Sequence, residues 1–237
     1  EFEQRYPPDA YGAEAGPNAR VWRVYRDRVT ELDEDLIGGW HETLNVLLVF
    51  AGLFSGVATA FLIEASKRLQ PDYGELTSKG VLAILARLDG TVLPHPSSTV
   101  TATPDPGIRV INGLWFSSLT LALIVSLLAI LVKQWLVEYR SKMRQPASDA
   151  RRWAWRHFVF RQGLSTWGVG VFISSLAVVL HVALYLFLFG LLVFLFHLDP
   201  ALCVVAASFT VAAGLFYIVA TVAPLWYGDC PSTTPLL

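Results

Sequence analysis

LNVLLVFAGLFSGVATAFLI occupies residues 44–63 and carries no ionisable side chain. A helix of about 20 residues, rising ~1.5 Å per residue, crosses a hydrocarbon core of ~30 Å. Gly52, Gly56 and Ala60 fall four apart on one face of that helix, which predicts a helix-packing groove for a second backbone. Three more apolar runs follow, at about 112–132, 169–196 and 201–223. The fold class they set is all-α and integral to a membrane, with four transmembrane helices in a bundle. Residues 1–237 read as one such domain.

The composition agrees. Charged residues make up 16% and hydrophobic residues 54% of the chain, against about 25% charged in soluble proteins. A net charge of −1 argues against a nucleic-acid surface, which needs a basic stripe. Cys203 and Cys230 flank the fourth run, roughly 40 Å apart along a helix, so they do not form a disulfide. The sequence opens on Glu1 and its one methionine is Met143, so it reads as a piece of a longer polypeptide.

Outside the four runs the chain alternates lead-ins, loops and amphipathic helices. Residues 1–17, rich in Pro, Gly and Ala, read as a flexible lead-in. Asn18 then suits the N-cap of an amphipathic helix whose stripe is Val21, Tyr25, Val29, Leu32 and Leu36. Gly38-Gly39 is expected to interrupt that helix before the first span, with Trp40 at interface depth. The acidic run Asp33-Glu34-Asp35 reads as a solvated face. Pro71 to Gly74 reads as a turn, and Val81, Ile84, Leu85 and Leu88 as one face of a short helix capped by Thr77 or Ser78. Residues 90–107 form a Pro/Ser/Thr-rich loop on the non-cytosolic side, and 224–237 an irregular tail. Trp115 and Trp135 are expected to flank the second span as belt anchors.

The segment from Lys133 to Thr166 is the most basic in the chain. After a Ser148 cap, DARRWAWRHFVFRQGL mixes Arg151, Arg152, Arg156 and Arg161 with Trp153 and Trp155. A basic aromatic helix between two spans is expected to lie in the headgroup layer and contact anionic lipid on the cytosolic face. With that loop cytosolic, both termini are cytosolic too, and the positive-inside rule is met.

Two features remain inside the runs. His181 is the lone ionisable residue of the third span, a candidate intramembrane polar site. It reads either as a hydrogen-bonded structural residue or as part of a transport path. His197-Leu198-Asp199-Pro200 is the whole link to the fourth span, where Ala206, Thr210 and Gly214 form a second small-residue packing seam.

WHETLNVLLVFAGLFSGVATAFLIEASKRLQPD, VINGLWFSSLTLALIVSLLAILVKQWLVEYR and the closing CPSTTPLL resemble a family of multi-pass membrane proteins from mushroom-forming (basidiomycete) fungi, domain of unknown function 6535. That resemblance implies membrane residence and supplies no catalytic residue. The residues themselves hold no phosphate loop, metal-ligand cluster or hydrolase elbow, so no catalytic, cofactor or metal site is assigned and no cofactor is expected. The leading expectation is a non-enzymatic anchoring or assembly module of a larger chain, partnered by lipid and by a second copy or another membrane protein. The alternative is an oligomeric channel or transporter that uses His181.

Overall fold

A computed structural model describes residues 2–69, 73–88 and 106–226, and every element among them is an α-helix. In chain order these are α1 (Phe2–Arg5), α2 (Arg20–Lys67), α3 (Tyr73–Leu88), α4 (Pro106–Arg144), α5 (Ala150–Thr166), α6 (Val169–Leu198) and α7 (Pro200–Trp226). Most of the loop expected at 90–107, and the tail beyond Trp226, lie outside the described residues. Four stretches are long and apolar enough to cross a membrane: Arg20–Lys67, Pro106–Arg144, Ala150–Leu198 and Pro200–Ala223. This is an all-α membrane protein.

Several helix boundaries follow from local chemistry. α4 stops at Arg144, two residues short of Pro146, whose ring and missing N–H cannot continue the ladder. α7 begins at Pro200, and Asp199 Oδ1 accepts a hydrogen bond from the Ala201 N–H at 2.8 Å. α3 begins at Tyr73, so Thr77 and Ser78 lie inside the helix rather than capping it. Asp149, not Ser148, is the N-cap of α5, its carboxylate accepting from the Arg152 N–H at 2.8 Å.

Two other expectations are corrected. α2 runs unbroken through Gly38-Gly39. Each glycine costs a helix up to about 1 kcal/mol, but Ile37 on one side and Leu44 and Leu47 on the other are all buried and hold the helix in line. Residues 2–19 are tied down rather than loose. Tyr6 is buried, with its hydroxyl donating to Asp27 at 2.9 Å, and both oxygens of Asp9 accept from the Arg20 N–H, doing the capping expected of Asn18.

The described residues divide into two compact units, one within 2–54, 121–181 and 223–226, the other within 55–69, 73–88, 106–120 and 182–222. In both, the buried positions recur every three and four residues. On α4 they are Ile111, Trp115, Ser118, Ala122, Val125, Ala129, Val132, Leu136 and Tyr139. That 3.5-residue period is the knobs-into-holes seam of left-handed helix packing. On α2, Ala51, Ala58 and Ala65 fall seven apart within the equivalent seam and are all at most 2% exposed. Gly52, Gly56 and Ala60 lie on the exposed side of α2, and a Cβ built at either glycine meets nothing within 4 Å. That face meets nothing among the described residues, and the buried seam of α2 carries the seven-spaced alanines instead.

In the second unit, α6 is pinned to α4 by two donors a turn apart. The Trp115 indole N–H donates to Phe187 O at 3.1 Å and Ser118 Oγ to Ala183 O at 2.6 Å. Trp115 is 1% exposed among Phe61, Phe187 and Phe194. It is a core residue, which corrects its reading as a belt anchor: the indole N–H has a carbonyl partner inside and does not need the interface. α7 meets α6 along a half-buried face that includes Cys203, Ala206, Thr210, Gly214 and Tyr217. There the Tyr217 and Tyr185 ring centroids lie 6.2 Å apart, and a Cβ built at Gly214 would stand 3.9 Å from the Tyr185 ring.

Gly190 is where this packing is least forgiving, since a Cβ there would stand 2.6 Å from Trp115 Nε1. Gly190→Ala is expected to destabilise the protein by about 1–3 kcal/mol, because the enclosed indole cannot move aside. Gly39→Ala, with open space around it, is expected to stabilise by up to about 1 kcal/mol. Apparent unfolding temperatures in lipid nanodiscs check both signs.

Candidate functional site

Much of the charge among the described residues sits on helix segments that extend beyond the apolar runs. Within the first unit, residues 20–43 of α2, 133–144 of α4 and all of α5 pack side by side. At their centre is Asp33, 7% exposed. Its Oδ2 accepts from the Tyr139 hydroxyl at 2.5 Å and from His157 Nε2 at 2.9 Å, and its Oδ1 from an Arg161 guanidinium nitrogen at 2.6 Å. One carboxylate thereby joins three helices. His157 is 2% exposed, stacks on the buried Trp153 at 5.4 Å, and shares a hydrogen bond at Nδ1 with the Tyr25 hydroxyl, 3.1 Å away. The Trp153 indole in turn donates to Met143 O at 3.1 Å.

Burial alone pushes the Asp33 carboxyl up. The hydrogen bonds from His157 and Tyr139, with the Arg161 charge, outweigh that and hold it below the usual carboxylate range. Burial and the same hydrogen bond push the Tyr139 phenol well above its ordinary value. Both acceptor atoms of Asp33 are taken, so it is a clamp rather than a free base. A cavity of about 60 Å³ beside it is lined by Asp33, Glu34, Tyr139, Arg140, Arg144 and Trp153, among others, and has room and polar partners for water. Among the described residues no three of His, Cys, Asp and Glu gather as a metal set.

Sequence spacing alone places Asp33 on a solvated face with Glu34 and Asp35. The structure turns it inward and leaves Leu32, counted on the apolar stripe, 66% exposed. The stripe was offset by one residue because an isolated carboxylate is an improbable core residue until its partners are known. Those partners lie 106, 124 and 128 residues away in the chain. The one local hint is the pair His157 and Arg161, four apart on a helix and so on one face.

The same geometry corrects the placement of α5. Asn18 Oδ1 accepts from the Ala150 N–H and Pro17 O from the Arg151 N–H, both at 3.0 Å, while Asp33 meets His157 and Arg161. α5 therefore runs lengthwise beside α2 and in the same direction, with α4 antiparallel to both. Its first turn is level with Asn18, about 26 residues or ~39 Å along the helix from Leu44, whereas a headgroup layer is only ~5–8 Å thick. α5 does not lie flat in that layer. Trp153 is inside the packing, Arg161 is committed to Asp33, and Arg156 donates to Gln145 O at 2.5 Å. Arg151, Arg152 and Trp155 are exposed, but at the far end of the segment. His181 is on the exposed side of α6, whose buried face there is Ile173, Leu176, Leu180 and Ala183.

Asp33→Asn is expected to cost about 3 kcal/mol, near the low end for breaking a buried pair because Arg161 is half exposed. The sign with pH is fixed by the lowered carboxyl value. The unfolded chain takes up the proton first, near pH ~3.9, so the clamp is at full strength above about pH 5 and drains away as pH falls through the folded value. Unfolding in nanodiscs between pH 3 and 7 should show that acid loss in the native chain and a flatter profile in Asp33→Asn.

The profile of a family described as "Family of unknown function (DUF6535)" matches residues 22–197. The match takes in all four residues of the clamp and the first three spans, and stops short of α7. Neither a curated protein nor a solved structure matches the chain. With about three quarters of its length inside the profile, this chain belongs to the family of unknown function DUF6535.

Proposed function

We propose that this protein is a non-enzymatic multi-pass module that anchors and assembles a larger chain at a membrane. The observation that carries this reading is the use made of its buried charge. Asp33, Tyr139, His157 and Arg161 are engaged in binding α2, α4 and α5 to one another. That leaves a braced helical stalk outside the apolar runs rather than a reactive group aimed at a cleft. A stalk of this kind transmits position, which is what an anchor does.

The stalk belongs on the cytosolic side. Five Lys/Arg precede Leu44 and eight lie in 133–166, against five between the first and second runs, which follows the positive-inside rule. Both termini are then cytosolic. The bilayer and a second copy or another membrane protein are the partners, and the fungal origin rests on the resemblance given above. A transport role would have to place His181 between copies, since it faces outward from α6.

Chemical cross-linking in native membranes, followed by sizing in mild detergent, tests the assembly role. The expected result is a cross-linked species larger than one chain. A strictly monomeric species with no partner in the native membrane overturns the reading. A tag inserted between Asp89 and Asp105 should be protected from cytosolic reagents, and one at the C-terminus exposed to them.

A further inference from the structure

We infer that the elbow between α5 and α6 holds one membrane lipid, its apolar portion seated against Trp135 and Trp167. α5 ends at the cap residue Trp167, and Gly168 takes φ +58 before α6 begins, a left-handed backbone conformation that glycine adopts at no steric cost. The turn leaves an open groove of about 350 Å³ lined by Trp135, Gly163, Leu164, Trp167 and Val169. That volume is in the range of small-molecule sites. Nothing lies within 4 Å of a Cβ built at Gly163, so the groove has no side chain along that edge.

Depth decides the occupant. Trp135 stands three residues beyond Val132, the last residue of the second apolar run, or ~4.5 Å along the helix. Val169 opens the third run, and Gly163 precedes it by ~9 Å. Trp135 also packs on Phe172, ring centroids 6.5 Å apart. The groove therefore reaches from the acyl boundary into the headgroup layer, where tryptophan is the preferred residue. Trp135 is 47% and Trp167 82% exposed. An apolar recess at that level opens on lipid, and the upper part of a phospholipid acyl chain is the apolar matter available to fill it. The polar residues that would recognise a soluble ligand are absent from its lining. This inference needs membrane residence but not the anchoring role, so the two fail separately.

The test is photolabelling of the full chain in nanodiscs with a phospholipid bearing a diazirine near the glycerol end of one acyl chain, and peptide mapping of the label. The expected result is label concentrated on the peptides containing Trp135 and Trp167, reduced at least several-fold in Gly163→Trp, which plugs the groove. Gly163→Ala, too small to fill it, should label as the native chain does and shows that the position tolerates a side chain. Label spread evenly around the spans, or label at Trp135 and Trp167 that survives Gly163→Trp undiminished, overturns the assignment.

Discussion

A carboxylate withdrawn from water must be surrounded by donors or be neutralised, and Asp33 is surrounded. Its three donors come from two other helices, so the free energy that keeps the charge buried is the same free energy that keeps α2, α4 and α5 together. Inside the apolar runs no such device is needed, since lipid-exposed helices satisfy their own backbones and need only close approach. Outside them, water competes for every polar group and the hydrophobic stripe of α2 is narrow. The clamp lies where the packing would otherwise be weakest.

Two packing regimes are thus joined along continuous helices. Within the runs, alanines seven residues apart on α2, with Ala122 and Ala129 on α4, set close helix approach, and the Trp115 and Ser118 donors add direction. Interhelical hydrogen bonds of this kind contribute on average about 0.6 kcal/mol each in a bilayer, so they fix register more than they supply stability. Beyond the runs, an ionic knot and a stacked Trp153–His157 pair replace the alanine seam. The matched family profile spans both regimes from Trp22 to His197.

Much of this was legible in the residues. Four uncharged runs and the Asp199-Pro200 link to the fourth are local signals, and each lies in the helix it predicts. What failed was the assignment of faces. Four-residue spacing pointed to Gly52, Gly56 and Ala60, while the seven-residue spacing of Ala51, Ala58 and Ala65 marked the seam in use; both patterns are present, and only the positions of the facing helices choose between them. Trp115 and Trp153 were read from their type as interfacial, but an indole whose N–H finds a carbonyl inside is a core residue. Asp33 was unreadable for the same reason at longer range: nothing near it in sequence neutralises it.

Everything outside the apolar runs depends on whether that carboxylate holds the stalk. Hydrogen exchange of the full chain in lipid nanodiscs, native against Asp33→Asn, reads this directly. Amides of residues 20–43 and 150–161 should lose protection in the variant while those of 112–132 and 173–190 keep it. Unchanged protection in α5 and the first half of α2, or an even loss through the spans, would contradict that role.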